Sequence, residues 1–456
     1  MFEQVPPELF ARIFEIGIET WDIGFLPPLC LVCRSWNDLV ISTPRLWGII
    51  KIDRSTRFKT INSQIVKAKA SPLTILVCRD VRSHTHSPSQ LQTALKKLAS
   101  LAHNWLRADV NTRLLSLARW ADMRGMLQDL RLVYDPKTSD HAASAYFQLQ
   151  DDIFQLLPKL HSFAADGISA AWVTGFLSPS ITRFELLNLA PTMSQTLDAT
   201  LEYLSRIPSV ITLDLNKIYH TVPELSSSQS VHLPHLATLE LCNVIHFSRL
   251  LCHIQAPSLQ VLSIRQPGGV VYHWAFRLDF ASDKSMSPFF SQWSQGSFIP
   301  TYLHTLELQE CLQIGDVPYL IRWLARLPNL VRLILLDDAI GRAADSPSTT
   351  EETNLFRALA SPQGAGTIVG GWLCPSLMQL LLSTDVQVTD LIAIARARGG
   401  IAASLESISP PDRLRIIEAH ICPSGNEREI EELYSLMDEV RCACLGCEFN
   451  LDINGM

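Results

Sequence analysis

Residues 236–241 read LATLEL, and how that hexapeptide is read decides the fold. Leu236 is followed by Leu239 and Leu241, so its second half alternates apolar and polar side chains. Alternation at a period of two makes a strand with one buried face, because successive side chains on an extended chain point to opposite sides. The pattern, often introduced by proline, recurs as LQDLRL at Leu127, ITRFEL at Ile181, VITLDL at Val210, LQVLSI at Leu259, LHTLEL at Leu303, LVRLIL at Leu330 and LMQLLL at Leu377. Weaker copies, LHSFAA and LRIIEA, start at Leu160 and Leu414.

Among neighbouring starts, intervals of 21, 29, 26, 23 and 27 residues occur, in or near the period of leucine-rich repeats. Between the copies lie stretches with apolar residues three and four apart, such as SQTLDATLEYLSRIP before Val210 and DVPYLIRWLARLP before Leu330. No single strand and helix can close its own core, so such units stack. The expected fold class is α/β: a curved solenoid over residues 127–440, parallel strands inside and helices or irregular segments outside. Insertions near 267–300 and 337–374 interrupt it, and the aromatic residues of the first, Phe289, Phe290 and Trp293 among them, read as packing residues. RLWGIIKID and ASPLTILVCRD, leading into and within a connecting segment 51–126, are read as early strands. A helix after Asn426, with Glu429 at its third position and Ile430, Leu433, Tyr434, Met437 and Val440 on one side, is read as the cover of the open end. Residues 441–456 form a cysteine-containing tail.

The first 50 residues follow another rhythm. Pro6 and Pro7 precede ELFARIFEIGIE, where Leu9, Ile13, Phe14 and Ile16 fall close to one helical face. Beyond Gly24 and Pro27-Pro28, residues Leu29, Val32, Cys33, Trp36, Leu39 and Val40 keep the spacing of one further helix. That reading sets Cys33 beside Trp36 and makes the Cys30 and Cys33 pair incidental. A unit this small has little core of its own, which points to a partner on part of its apolar surface.

In order, VPPELFARIF, LCLVCRSWNDLV and PRLW resemble the F-box, whose usual pattern is LPxELLxxIF, LVCRxWxxL and a closing LW. Val5 stands for the usual leucine, and ETWDIGFLPP is irregular where the family tends to show aspartate and then leucine. The resemblance implies an all-helical N-terminal unit in which Val5, Pro6, Leu9, Ile13, Phe14, Leu31, Val32 and Trp36 dock a Skp-type adaptor and, through it, a cullin ubiquitin ligase. With the degenerate repeats, which lack asparagines at the usual turn, the chain resembles the F-box and leucine-rich-repeat proteins abundant in mushroom-forming fungi.

Strand positions between buried leucines project outward in rows, the surface on which solenoids generally bind partners. The charged members are Asp129, Arg131, Arg183, Glu185, Asp214, Glu240, Arg265, Glu307 and Arg332, expected to meet a protein substrate. If their strands align, Arg131, Arg183, Arg265 and Arg332 could converge on a phosphate.

Composition narrows the classes. With 47% hydrophobic and 18% charged residues among 456, the chain is globular, and a net charge of -7 gives no electrostatic reason to expect nucleic acid. MFEQVPPELF lacks a basic run ahead of an apolar core, and no uninterrupted apolar stretch is long enough for a membrane span, so a cytoplasmic or nuclear protein is expected. GAGTIVGG at 364–371 lacks the lysine of a phosphate loop, and no metalloprotease, nucleophile-elbow or kinase signature occurs. No cofactor is expected. Cys442, Cys444 and Cys447 with His420 and Cys422 could surround zinc, but their loose placement favours reduced thiols. The expectation is a non-catalytic substrate receptor of an SCF-type ligase; the alternative is a repeat scaffold outside any ligase.

Overall fold

The computed structural model describes residues 5–21, 23–52, 56–77, 88–111, 125–134, 157–168, 173–188, 197–218, 230–266, 272–273, 276–277, 285–295, 300–337, 339–340, 354–361, 371–399, 411–420 and 427–442. The chain divides into two compact units, Met1–Met193 and Ser194–Met456.

The first unit opens with three helices, α1 (Pro7–Trp21), α2 (Leu26–Val32) and α3 (Arg34–Ser42). Phe14, Ile18, Leu26, Leu29, Val40 and Leu46 form their core. The single helix expected across Leu29 to Val40 is two, because Cys33 is extended between α2 and α3 (φ -161°, ψ 166°). Cys33 is therefore exposed at a junction and is not on the apolar face. A short 3-10 turn over Pro44–Trp47 follows, where Trp47 Nε1 donates to the Val40 carbonyl at 2.9 Å and Lys67 Nζ lies 3.7 Å above the Trp47 ring.

Strands then begin at once: β1 (Ile49–Ile52), β2 (Leu73–Val77), β3 (Trp105–Asn111), β4 (Asp129–Val133), β5 (Ser162–Asp166) and β6 (Arg183–Leu187), each parallel to the next. Helices α4 (Phe58–Ala68) and α5 (Pro88–Ala99) lie between the first three. The two early strands read from sequence are present. Trp105–Asn111 is a third, hidden from a leucine pattern because Trp105, Ala108 and Val110 stand where the copies carry leucine or isoleucine.

The second unit carries α6 (Leu197–Ser205), β7 (Thr212–Asn216), β8 (Thr238–Cys242), α7 (Phe247–Cys252), β9 (Val261–Arg265), α8 (Ser287–Gln295), β10 (Thr305–Gln309), α9 (Val317–Leu324) and β11 (Arg332–Leu336). Helix α10 (Leu355–Ala360), β12 (Gln379–Asp385), α11 (Val388–Arg398), β13 (Ile416–His420), α12 (Glu427–Leu436) and β14 (Glu439–Cys442) complete it. Strands β7 to β14 form one parallel series in chain order. The fold is thus α/β, built on large parallel sheets with helices in the crossovers. The last helix ends at Leu436, and Val440, expected on it, lies in β14. Helix α12 packs beside α11 and leads into one more strand.

Every copy of the sequence pattern, weak ones included, is followed two residues later by a strand. The reason is a repeated turn. Leu160, Ile181, Val210, Leu236, Leu259, Leu330 and Leu377 each donate their N–H to the carbonyl three residues back, at 3.0 to 3.3 Å. In each, proline (Pro158, Pro179, Pro208, Pro234, Pro257, Pro328, Pro375) is the second residue, where its fixed φ suits the turn. The leucine is thereby buried and the chain enters the strand in register. One carbonyl then accepts from two successive amides of the next strand, as Ile211 does from Ala237 (2.8 Å) and Thr238 (3.0 Å). Strands β5, β6, β7, β8 and β10 leave through a left-handed residue, Gly167, Asn188, Lys217, Asn243 and Glu310. Asparagine does stand at two of these exits, and it tolerates that conformation better than most residues.

The described part of the first expected insertion, residues 285–295, packs, while Trp274, Phe280 and the side chains of Tyr272 and Phe276 lie outside the described residues. Phe289 and Phe290 are fully buried on α8, and with Trp293 they surround Trp323 of α9 at ring separations of 5.3, 5.3 and 6.1 Å. Buried Asp316 holds the start of α8, accepting from the amides of Met286 (3.0 Å), Ser287 (2.9 Å) and Gln313 (2.9 Å). Of the second insertion, residues 341–353 and 362–370 lie outside the described residues, and with them most of the GAGTIVGG run. Buried Arg398, at the end of α11, donates to the carbonyls of Leu359 (3.4 Å), Cys374 (3.2 Å) and Leu373. Burial pulls its guanidinium below the ordinary value, and three carbonyls at the ends of neighbouring segments supply what solvent would have given.

Candidate functional site

Helix α1 is apolar on two sides. Phe10, Phe14 and Ile18 turn inward, with the Phe14 ring 5.0 Å and the Phe10 ring 5.7 Å from Trp36 of α3. Leu9, Ile13 and Ile16, at i, i+4 and i+7, share the opposite face and are 55%, 55% and 50% exposed. At the end of α2, Leu31 and Val32 are 86% and 60% exposed. Burying such a side chain fully is worth about 1.5–3 kcal/mol, so leaving five in water holds back stabilisation that a partner would supply. Arg12 and Arg45 flank Glu15 at 2.9 and 3.6 Å, giving the α1 face a charged rim.

The eight residues expected to dock an adaptor thus fall into two groups. Leu9, Ile13, Leu31 and Val32 are exposed, Pro6 is exposed and Val5 is half-buried. Phe14 is enclosed at 1% exposure and Trp36 is half-buried against it. Those two build the core beneath the exposed face, and the expectation that Phe14 shares the face of Leu9 and Ile13 is corrected. Trp21 and Ile41, exposed at 68% and 57%, were absent from the expected set. Nothing in the spacing distinguishes an apolar residue outside a small core from one within it.

The strand positions expected to face outward do so. In the first unit Asp129, Ser162 and Arg183 share one row, and Arg131, Ala164 and Glu185 the next. Arg183 pairs with Glu185 on its own strand at 2.6 Å, and Arg131 lies 4.0 Å from Asp166. In the second unit the central row runs Asp214, Glu240, Ser263, Glu307, Ile334, Leu381, Glu418 and Arg441. Arg265 reaches Glu240 at 3.0 Å, and Ser263 Oγ donates to Glu307 at 2.8 Å. Arg332 is exposed in the first row, level with Thr305.

Within the second unit the arginines do not converge. Arg265 and Arg332 lie two strands apart and four positions along, roughly 13 Å in the strand direction alone at the rise of a strand. Arg131, Arg183 and Arg265 each already face a carboxylate. A shared phosphate is therefore not what these positions are built for. Outward Ile334, Leu336 and Leu381 went unread, because LVRLILL and LMQLLL are apolar at nearly every place and only the register shows which residues turn out.

Among the described residues no group of three or more His, Cys, Asp or Glu is placed to hold a metal ion. Cys422, Cys444, Cys447 and the side chains of His420 and Cys442, the zinc candidates, lie outside the described residues. Among the described residues no helix is long and apolar enough to cross a membrane.

No family model matches the chain. No curated protein matches it either. Among solved structures, the crystal structure of the Rad7 and Elc1 complex in yeast aligns over 93% of this chain and 96% of that one, at 14% identity and a TM-score of 0.33. A likeness of that degree carries no argument about function.

Proposed function

We propose that the chain is a substrate-recognition subunit of an SCF-type cullin ubiquitin ligase. Its N-terminal helices, which resemble the F-box, dock a Skp-type adaptor, and its outward strand face holds a protein substrate. The observation that carries the reading is the exposure of Leu9, Ile13, Leu31 and Val32 on a three-helix segment whose own core is already filled by Phe14, Ile18, Leu26, Leu29, Val40 and Leu46. Apolar anchors on helices are the usual currency of helix-in-groove recognition. On this reading the chain catalyses nothing. It holds two partners at a set separation and so raises the effective concentration of substrate lysines near the transferring enzyme.

The test is capture of a Skp-type adaptor by the full chain, beside a Leu9→Ala, Ile13→Ala, Leu31→Ala variant shown by circular dichroism to fold. Trp36 is left intact, because its truncation would open the core and confuse folding with binding. The wild type should capture the adaptor and the variant should lose about 2 kcal/mol or more of binding, roughly thirtyfold. A folded wild type that captures none would sink the ligase reading and leave the repeat scaffold.

A further inference from the structure

The outward face of the second unit is chemically divided along its central row. Over β7 to β10 it presents Asp214, Glu240 and Glu307, with Ser263 between the last two. Arg265 answers one of these carboxylates, while exposed Lys217 and Glu310 stand at the strand exits and offset each other. A net negative surface remains. From β11 the row turns apolar: Leu381 and Leu336 lie on this side next to Ile334, which is itself buried at 8% exposure. Leu336 and Leu381 are half-buried, with part of each side chain facing solvent. At the boundary, exposed Arg332 would repel a cation set there.

We propose that this face takes a segment of a partner protein in which a basic stretch adjoins an apolar one, the basic part over β7–β10 and the apolar part over β11–β12. The inference rests on the reading of the strand face as the substrate surface and names the substrate's chemistry. Charge complementarity selects the basic stretch and Arg332 fixes where it lies, because cations set over β11 meet a cation and leucines set over β7–β10 meet carboxylates, whichever way the chain runs. Six strands at about 4.8 Å spacing cover about 24 Å, which some seven residues of extended chain would span. Glu240, although paired with Arg265, keeps 37% of its side chain exposed, and Glu307, which accepts from Ser263, is half-buried.

The experiment uses the full chain and three fluorescein-labelled peptides: lysines ahead of leucines, lysines and leucines alternating, and glutamates ahead of leucines. Fluorescence anisotropy should give the lysine-first peptide about tenfold tighter binding than the glutamate peptide, weakening as salt is raised. A Glu240→Lys, Glu307→Lys variant should abolish that preference. Should it fail to fold, Glu240→Gln with Glu307→Gln removes the charges at nearly constant size and should still cut the preference severalfold. Leu381→Asn should weaken the lysine-first peptide without changing its salt dependence. Equal binding of the lysine and glutamate peptides, or no change in the folded charge variants, would overturn the proposal; so would equal binding of the alternating peptide. Because adaptor capture is read on residues of the first unit, a failure here beside successful capture removes only the substrate class.

Discussion

Gly48 shows how one position can be set by space alone. Its backbone (φ -74°, ψ -13°) suits any residue, yet a Cβ there would lie 2.6 Å from the Pro72 carbonyl oxygen and 3.2 Å from that of Arg45. Both obstacles are backbone, so neither can swing aside. Gly48 also accepts the Thr74 amide at 2.9 Å, the bond that seats β2 beside the end of the helical segment. Gly48→Ala should destabilise by about 1–3 kcal/mol, read as a lowered urea midpoint in the first unit's transition. The thiols give a second residue-scale expectation. Burial pushes Cys374 up to about 12 and Cys252 to about 11, from the usual 9.0. Unfolded, the same thiols titrate near that usual value. Their contribution is thus full below about pH 9 and is lost as pH rises from there toward the folded values. A Cys374→Ala variant should show a smaller fall in urea midpoint between pH 8 and pH 11 than the wild type. Maleimide at neutral pH should label exposed Cys33 in the folded chain and spare Cys374 until denaturant is added.

At the scale of the element, the strand–turn unit carries stability through its inward side. Leu239 is fully buried on β8, whereas Thr238 beside it faces outward and is half-buried. Leu239→Ala should therefore cost about 2–5 kcal/mol and Thr238→Ala about 0.5 kcal/mol or less, a contrast that chemical denaturation of the two variants measures directly. Equal effects would mean that the strand is not one-sided. The proline turn also explains why even the weak copy at Leu160 forms a strand, while the one at Leu414 forms without it. Stacking neighbours supply the core, and a copy needs only to enter in register to be paired on both sides.

For the molecule as a whole, the docking face lies in the first unit and the divided strand face in the second, with no residue shared. The triple alanine variant at Leu9, Ile13 and Leu31 should lose adaptor capture while keeping its preference for the lysine-first peptide. The Glu240→Lys, Glu307→Lys variant should do the reverse, and combining them should give both losses without further effect, as independent sites add. Capture and peptide binding on one preparation of each variant decide this, and a cross-effect in either direction would show that the two sites are coupled.

What sequence alone determined is whatever local pattern encodes. The period-two copies and their prolines specify strands two residues beyond each motif start, since alternation and a fixed φ act within a few residues. The early strands at Ile49–Ile52 and Leu73–Val77 were legible for the same reason. Beyond that reach, tertiary structure decided. The break at Cys33, the burial of Phe14 against Trp36 and the passage of Val440 into a last strand depend on what packs alongside. The candidate surfaces divide in the same way. Alternation already turned Glu240 and Glu307 outward, but only the register of neighbouring strands aligns them with Ser263, Ile334 and Leu381 in one row. Likewise Leu9 and Phe14 are equally apolar, and which one remains in water is settled by the volume of a core that closes over one and leaves the other outside.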